Sequence, residues 1–143
     1  MPSAPYFLDT NVLFYAAMAL AEDETKRARA AELIGAANFG TSTQVLQELY
    51  TSLTRKTARP LPPSRALAWI ERLETQPCVL VDPDLIRTSI VLSERFRINY
   101  WDAAILAAAE RLKAPIVYTE DLNHDQTYGP VRVLNPFLAA SAA

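Results

Sequence analysis

Four short apolar runs, Tyr6–Leu8, Phe39–Gly40, Cys78–Val81 and Ile116–Tyr118, each end abruptly in hydroxyl or acidic residues. Each is too short for a buried helix, and the stretches between them have helical spacing. Short strands separated by helices imply right-handed crossovers and a mostly parallel sheet covered on both faces. The expectation is an α/β fold: a three-layer sandwich around a twisted sheet of four or five strands, with Val131–Leu134 as the last strand. A chain of 143 residues without repeat or linker forms one domain over 1–143, with its core at about 6–137 and a frayed Ala-rich tail from Ala139.

Local signals refine this outline. Asp9 or Thr10 caps a short buried helix over Val12–Met18, and Asp23 and Glu24 open a second helix. That second helix presents Ala28, Ala31, Leu33 and Ile34 inward and Lys26, Arg27 and Arg29 to solvent. Thr41 with Gln44 matches a capping box for a helix carrying Val45, Leu46, Glu48, Leu49 and Leu53. Ser64 is read as the cap of a helix that turns Leu67, Ile70 and Leu73 inward. Asp82 before Pro83 is a strong helix start, and Leu85, Ser89, Leu92 and Phe96 then share one stripe. Asn99 caps Tyr100–Leu112, whose alanines at 103, 104 and 107–109 permit close packing.

Half of the residues are hydrophobic and about a fifth are charged, a globular composition. No apolar run is long enough to span a membrane. The first residues lack the layout of a signal peptide, so a cytoplasmic protein is expected. A single cysteine, Cys78, excludes an internal disulfide and a Cys-rich zinc site. The net charge of −2 argues against a non-specific nucleic-acid binder but not against a nuclease whose acids gather at a metal.

Four acids stand at element ends or on an inner helical face: Asp9, Glu48, Asp102 and Asp121. In a doubly wound sheet the carboxyl ends of the strands and the starts of the following helices share one edge, so these acids could meet there. Each also has a plainer reading: Asp9 as a helix cap, Glu48 as an ion-pair member, Asp102 as a first-turn acid, Asp121 as part of a polar loop. Gathered carboxylates require a compensating cation. Oxygen ligands without His or Cys favour Mg²⁺ or Mn²⁺, which can activate water against a phosphodiester.

In order, Phe7-Leu8-Asp9-Thr10-Asn11, the helix from Ser42 to Glu48, Tyr100-Trp101-Asp102-Ala103-Ala104 and Val117-Tyr118-Thr119-Glu120-Asp121 resemble a PIN domain. The set is most similar to the VapC-like ribonucleases of toxin–antitoxin systems and runs from about Phe7 to Phe137. The resemblance implies a Mg²⁺- or Mn²⁺-dependent endoribonuclease, an antitoxin partner and a homodimer. It assigns Asp9, Glu48, Asp102 and Asp121 as the catalytic and metal-holding acids, with Thr10, Asn11 and Thr119 in support. Glu120 and Asp125 compete with Asp121 for the fourth place. The implied reaction is hydrolysis by an oriented water, which displaces the 3′ oxygen and leaves a 5′ phosphate.

Other readings are carried alongside. They are a PIN-domain RNA-processing nuclease outside any toxin–antitoxin system, and a non-catalytic binding module. A haloacid-dehalogenase-type phosphotransferase needs a second acid where this chain has Asn11. His124 is read as a polar-loop residue and Cys78 as core. Tyr100 and Trp101 are read as packing at a helix start, with base stacking as the lesser reading. Arg55, Lys56 and Arg59 are read as a solvated helix end, with RNA contact as the lesser reading.

Overall fold

The computed structural model describes residues 3–18 and 23–138, so the tail from Ala139 lies outside the described residues. The chain begins with β1 (Phe7–Leu8), α1 (Thr10–Ala17) and α2 (Glu24–Ala36). There follow β2 (Thr41–Ser42), α3 (Thr43–Arg55), α4 (Pro63–Leu73), β3 (Cys78–Val79), α5 (Pro83–Phe96) and α6 (Tyr100–Arg111). The last part is β4 (Ile116–Tyr118), β5 (Thr127–Tyr128) and β6 (Val131–Leu134).

The strands form a four-stranded sheet in the order β1-β4-β6-β5 and a parallel pair β2-β3. A single bridge between Phe7 and Gly40 joins them, with Gly40 N–H donating to Tyr6 O at 2.8 Å and Leu8 N–H to Gly40 O at 3.1 Å. Together they make one twisted layer in the order β3-β2-β1-β4-β6-β5, parallel except for β5. Gly40 lets the strands approach closely at this seam: a Cβ there would stand 2.7 Å from Leu112 Cδ1 and 3.0 Å from Phe7 Cδ2, so the Leu112 side chain would have to shift. Right-handed crossovers place α1 to α4, which pack on one another, on one face, and the α5–α6 pair on the other.

Phe7 and Leu8 are fully buried in the middle of this layer. Such a side chain contributes about 1.5–3 kcal/mol by leaving water, so two residues suffice to anchor β1. Asp82 and Asn99 cap α5 and α6 as expected: Leu85 N–H donates to Asp82 Oδ1 at 2.8 Å and Trp101 N–H to Asn99 Oδ1 at 2.7 Å. The stripe Leu85, Ser89 and Leu92 is buried, and the α6 alanines lie against it.

Several local expectations are corrected. The second strand is Thr41–Ser42 rather than Phe39–Gly40, and Ser42, not Thr41, caps α3 by accepting from Val45 N–H at 3.2 Å. Thr41 is fully buried and caps nothing. Its neighbour wins because strand pairing with Cys78 turns the Thr41 side chain into the core. In α4, Pro63 starts the helix after Pro62, and no side chain caps it, Ser64 included. Its buried face is Ala66 and Leu73, while Leu67 is 52% exposed. In α2 the inner residues are Ala30 and Leu33, and Ala28 and Ala31 are exposed. Low hydrophobic contrast on that helix left its phase ambiguous. The third strand ends at Val79, with Leu80 and Val81 exposed beyond it, and Cys78 is half-buried. The antiparallel β5 was not anticipated. It hairpins onto β6 through Gly129-Pro130, where Gly129 takes φ +60°, the left-handed value such two-residue loops need at their first position.

Candidate active site

β1 and β4 are adjacent and parallel, and the chain leaves them in opposite directions across the sheet. A crevice therefore opens at their carboxyl ends, the usual ligand position in such sheets. Asp9 follows β1 and Thr119 follows β4, so sheet topology alone brings residues 110 apart in sequence into contact.

Asp9 is 5% exposed. Thr10 N–H donates to its Oδ1 at 2.7 Å and the Thr119 hydroxyl to its Oδ2 at 2.9 Å. Asp9 therefore caps α1 through one oxygen and is tied to the end of β4 through the other. Burial pushes its carboxyl up to about 7, and the neighbouring Asp121 and Glu48 charges add to the rise; the two hydrogen bonds oppose it.

Asn11 ties the two loops together. Its amide donates to Thr119 Oγ1 at 3.0 Å and to Asp121 Oδ2 at 3.2 Å, and its carbonyl oxygen accepts from Glu120 N–H at 3.4 Å. Asp121 N–H donates to Thr119 Oγ1 at 3.1 Å. Asn11 is thus an amide clamp, with no role open to it as a second acid of phosphoryl transfer.

From the other side, α3 and α6 complete the cleft. The Thr10 hydroxyl donates to Glu48 Oε1 at 3.3 Å, linking α1 to α3. Gln44 spans α3 and α6, donating to Glu48 Oε1 at 3.5 Å and to the Trp101 carbonyl at 3.3 Å. Asp102, in the first turn of α6, is half-buried; burial raises its pKa, with Asp121 and Glu48 as further causes. The resulting cleft of about 130 Å³ is lined by Asp9, Glu48, Asp102 and Asp121, with Lys56 and Trp101 at its rim.

The three candidates for the fourth acidic place differ in where they stand. Asp121 lines the cleft. Glu120 turns away to accept from Tyr15 OH at 2.8 Å and to pair with Lys26 Nζ at 3.1 Å. Asp125 pairs with Arg132 and lies outside the cleft. Lys26, expected in solvent, is instead held over the Tyr15 ring at 4.6 Å. No Lys or Arg pairs with Asp9, Glu48, Asp102 or Asp121 among the described residues.

Such a donor set, four carboxylates with no ion-paired Lys or Arg, fits a hard divalent ion. Among the described residues no three acids stand close enough together to hold a metal ion, so the fit rests on the chemistry of the donors.

Three lining residues carry weak signals in the sequence. Gln44 matches half of a capping box, Ser52 carries no signal, and Lys56 reads first as a solvated helix end and only second as an RNA contact. Helical spacing from Glu48 was the available cue, since 44, 48 and 52 share one face. His124 sits in an exposed loop, accepting from Asn135 N–H at 2.9 Å, and does not line the cleft.

A family model described as PIN domain matches residues 6–130. Among solved structures, the chain is similar to VapC20 of Mycobacterium tuberculosis, described as a Sarcin-Ricin loop cleaving toxin. The TM-score is 0.63 at 19% sequence identity, covering 81% of this chain and 89% of that one. No curated protein gives a significant match.

Proposed function

The chain belongs to the PIN domain family, and we propose from that premise that it is a divalent-metal-dependent endoribonuclease acting as the toxin of a toxin–antitoxin pair. The observation that carries the reading is the buried Asp9 carboxylate lining one cleft with Glu48, Asp102 and Asp121, none of them ion-paired with a Lys or Arg among the described residues. Like charges so placed need a metal to remain ionised.

Asp9 and Asp102 would hold Mg²⁺ or Mn²⁺, directly or through water, with Glu48 and Asp121 completing the shell or orienting the attacking water. When bound, the ion supplies Lewis acidity toward a phosphoryl oxygen and a more acidic water. The chain's own contribution is orientation. Thr119 and Thr10 N–H fix both oxygens of Asp9, Asn11 holds Asp121, and Gln44 and Thr10 hold Glu48. Water attacks the phosphorus, the bond to the 3′ oxygen breaks, and a 5′ phosphate remains.

The toxin setting is supported by the likeness to VapC20. An RNA-processing role would use the same cleft, and a non-catalytic module would not need four unpaired acids. No helix among the described residues is long and apolar enough to cross a membrane, which accords with a cytoplasmic setting. A homodimer and an antitoxin are the proposed protein partners. Leu13 and Met18 are buried and unavailable to either, whereas Leu67 borders an apolar groove between α3 and α4 and Ile86, Ile90 and Val91 are exposed on α5.

The test is RNA-end mapping after induced expression, together with cleavage assays in Mg²⁺ and in chelator. Asp9→Asn and Asp102→Asn are expected to lose at least about a hundredfold in activity while remaining folded, the scale of losing a principal metal ligand or its support. Undiminished cleavage by both variants would sink the assignment.

A further inference from the structure

Trp101 is 60% exposed, and every other aromatic side chain among the described residues is buried or half-buried. A single exposed apolar side chain is ordinary on a protein surface, and it is the place of this one that gives it meaning. That place is the rim of the acid cleft, one residue before Asp102.

The position is also held. Trp101 is in the first turn of α6, its N–H donates to Asn99 Oδ1 at 2.7 Å, and its carbonyl accepts from Gln44 at 3.3 Å. The Tyr100 ring buttresses it edge-to-face, with centroids 5.0 Å apart and planes at 82°. Gln44 bonds both the Trp101 carbonyl and Glu48, so the backbone that carries the ring is tied to the acids that would act on the phosphate. On the α3 side of the same cleft stand Ser52 and Lys56, the latter its one lining cation among the described residues. From there the groove continues past Asp121 to Phe14 and Tyr15.

We infer that Trp101 is a stacking platform for a nucleobase beside the scissile phosphate, with Lys56 taking a backbone phosphate across the cleft. This rests on the nuclease reading and names the residues of this chain that position the strand. A base inside an A-form helix has both faces covered by its neighbours, and only an unstacked base offers a face to an aromatic ring. Stacking of that kind is tolerant of sequence. Trp101 therefore selects the state of the strand more than its letters.

The probe is a ten-nucleotide single-stranded RNA carrying one 2-aminopurine, compared with the same strand in a full duplex. Binding is measured with Mg²⁺ in an Asp9→Asn background, where the RNA stays intact. Quenching of 2-aminopurine is expected with Trp101 present. Trp101→Ala is expected to abolish the quench and weaken binding by about tenfold to a hundredfold, and Trp101→Phe to restore most of both. In the otherwise wild-type enzyme, Trp101→Ala should raise KM with little change in kcat, the signature of lost binding rather than lost chemistry. Lys56→Gln should weaken binding and flatten its salt dependence. Equal binding and cleavage by wild type and Trp101→Ala, or equal affinity for strand and duplex, overturns the inference and leaves Trp101 to a protein partner. If wild-type protein cleaves no RNA yet the Trp101-dependent quench persists, the nuclease reading falls and the stacking site stands.

Discussion

The Thr119 hydroxyl donates to Asp9 Oδ2 at 2.9 Å and ties the carboxyl ends of two adjacent parallel strands at the point where the sheet changes direction. The same oxygen accepts from the Asn11 amide and from Asp121 N–H, so one fully buried hydroxyl orients three parts of the site. Thr119→Val keeps the shape and removes every one of these bonds. It leaves a buried carboxylate short of a donor, which costs about 1–3 kcal/mol. The expected outcome is a lower midpoint in thermal unfolding and cleavage that recovers only at higher pH, because loss of a bond to the charged form raises the Asp9 pKa further. An unchanged midpoint and pH–rate profile would show that Thr119 is dispensable.

Metal-free protein should lose stability as the solution becomes more alkaline. The Asp9 carboxyl sits at about 7 in the folded chain against an ordinary 3.8, and burial raises Asp102 in the same direction. The folded state therefore binds more protons than the unfolded one across that interval. The stabilising contribution is complete below about pH 4 and is lost as pH rises through about 7. Urea titrations in chelator at pH 5 and pH 8 should show a lower midpoint at pH 8. Asp9→Asn should lessen that dependence, and Mg²⁺ should restore the wild type at pH 8 by binding only its folded form.

Glu120 and Asp121 are neighbours with opposite fates, and substitution separates them. Asp121→Asn changes a cleft-lining acid and should reduce cleavage by at least about tenfold, in the range seen when a metal's supporting partners are removed. Glu120→Gln breaks the pair with Lys26, which is about a third exposed on the lysine side. Such a pair is worth only about 0–1 kcal/mol, so Glu120→Gln should retain cleavage with a small drop in melting temperature. Single-turnover kinetics on both variants decides the matter, and the reverse ranking would reassign the fourth acid.

Gly40→Ala tests the seam of the sheet. The added methyl would meet Leu112 and Phe7 in a filled core, and overpacking of this kind costs about 1–3 kcal/mol. A melting temperature within a degree of wild type would show that Leu112 yields without strain.

Residues within a few positions of one another were legible in the sequence because capping and helical spacing act over that range. Asp82 before Pro83, Asn99 before α6, the stripe on α5 and the strand ending at Asp9 were all readable for that reason. The order of the four acids could also be read, since a strand-helix alternation sends successive element ends to one edge. Phase errors arose where contrast was weak, as in α2, or where a neighbour supplied the same chemistry, as with Thr41 and Ser42.

The sequence by itself determined that this chain forms an α/β sheet with Asp9 at the end of its first strand, because local burial and capping preferences suffice to make strand, cap and helix. Only the tertiary structure decided which acids face the cleft. Lys26 reaches Glu120 across 94 positions, Asn11 reaches Asp121 across 110, and Arg132 arrives on Asp125 from β6 across the β5–β6 hairpin. Whether a carboxylate is neutralised or left for a metal depends on charges brought from such distances. The exposure of Trp101 belongs to the same class of fact, because a helix position says where a ring is attached and only packing says whether anything covers it.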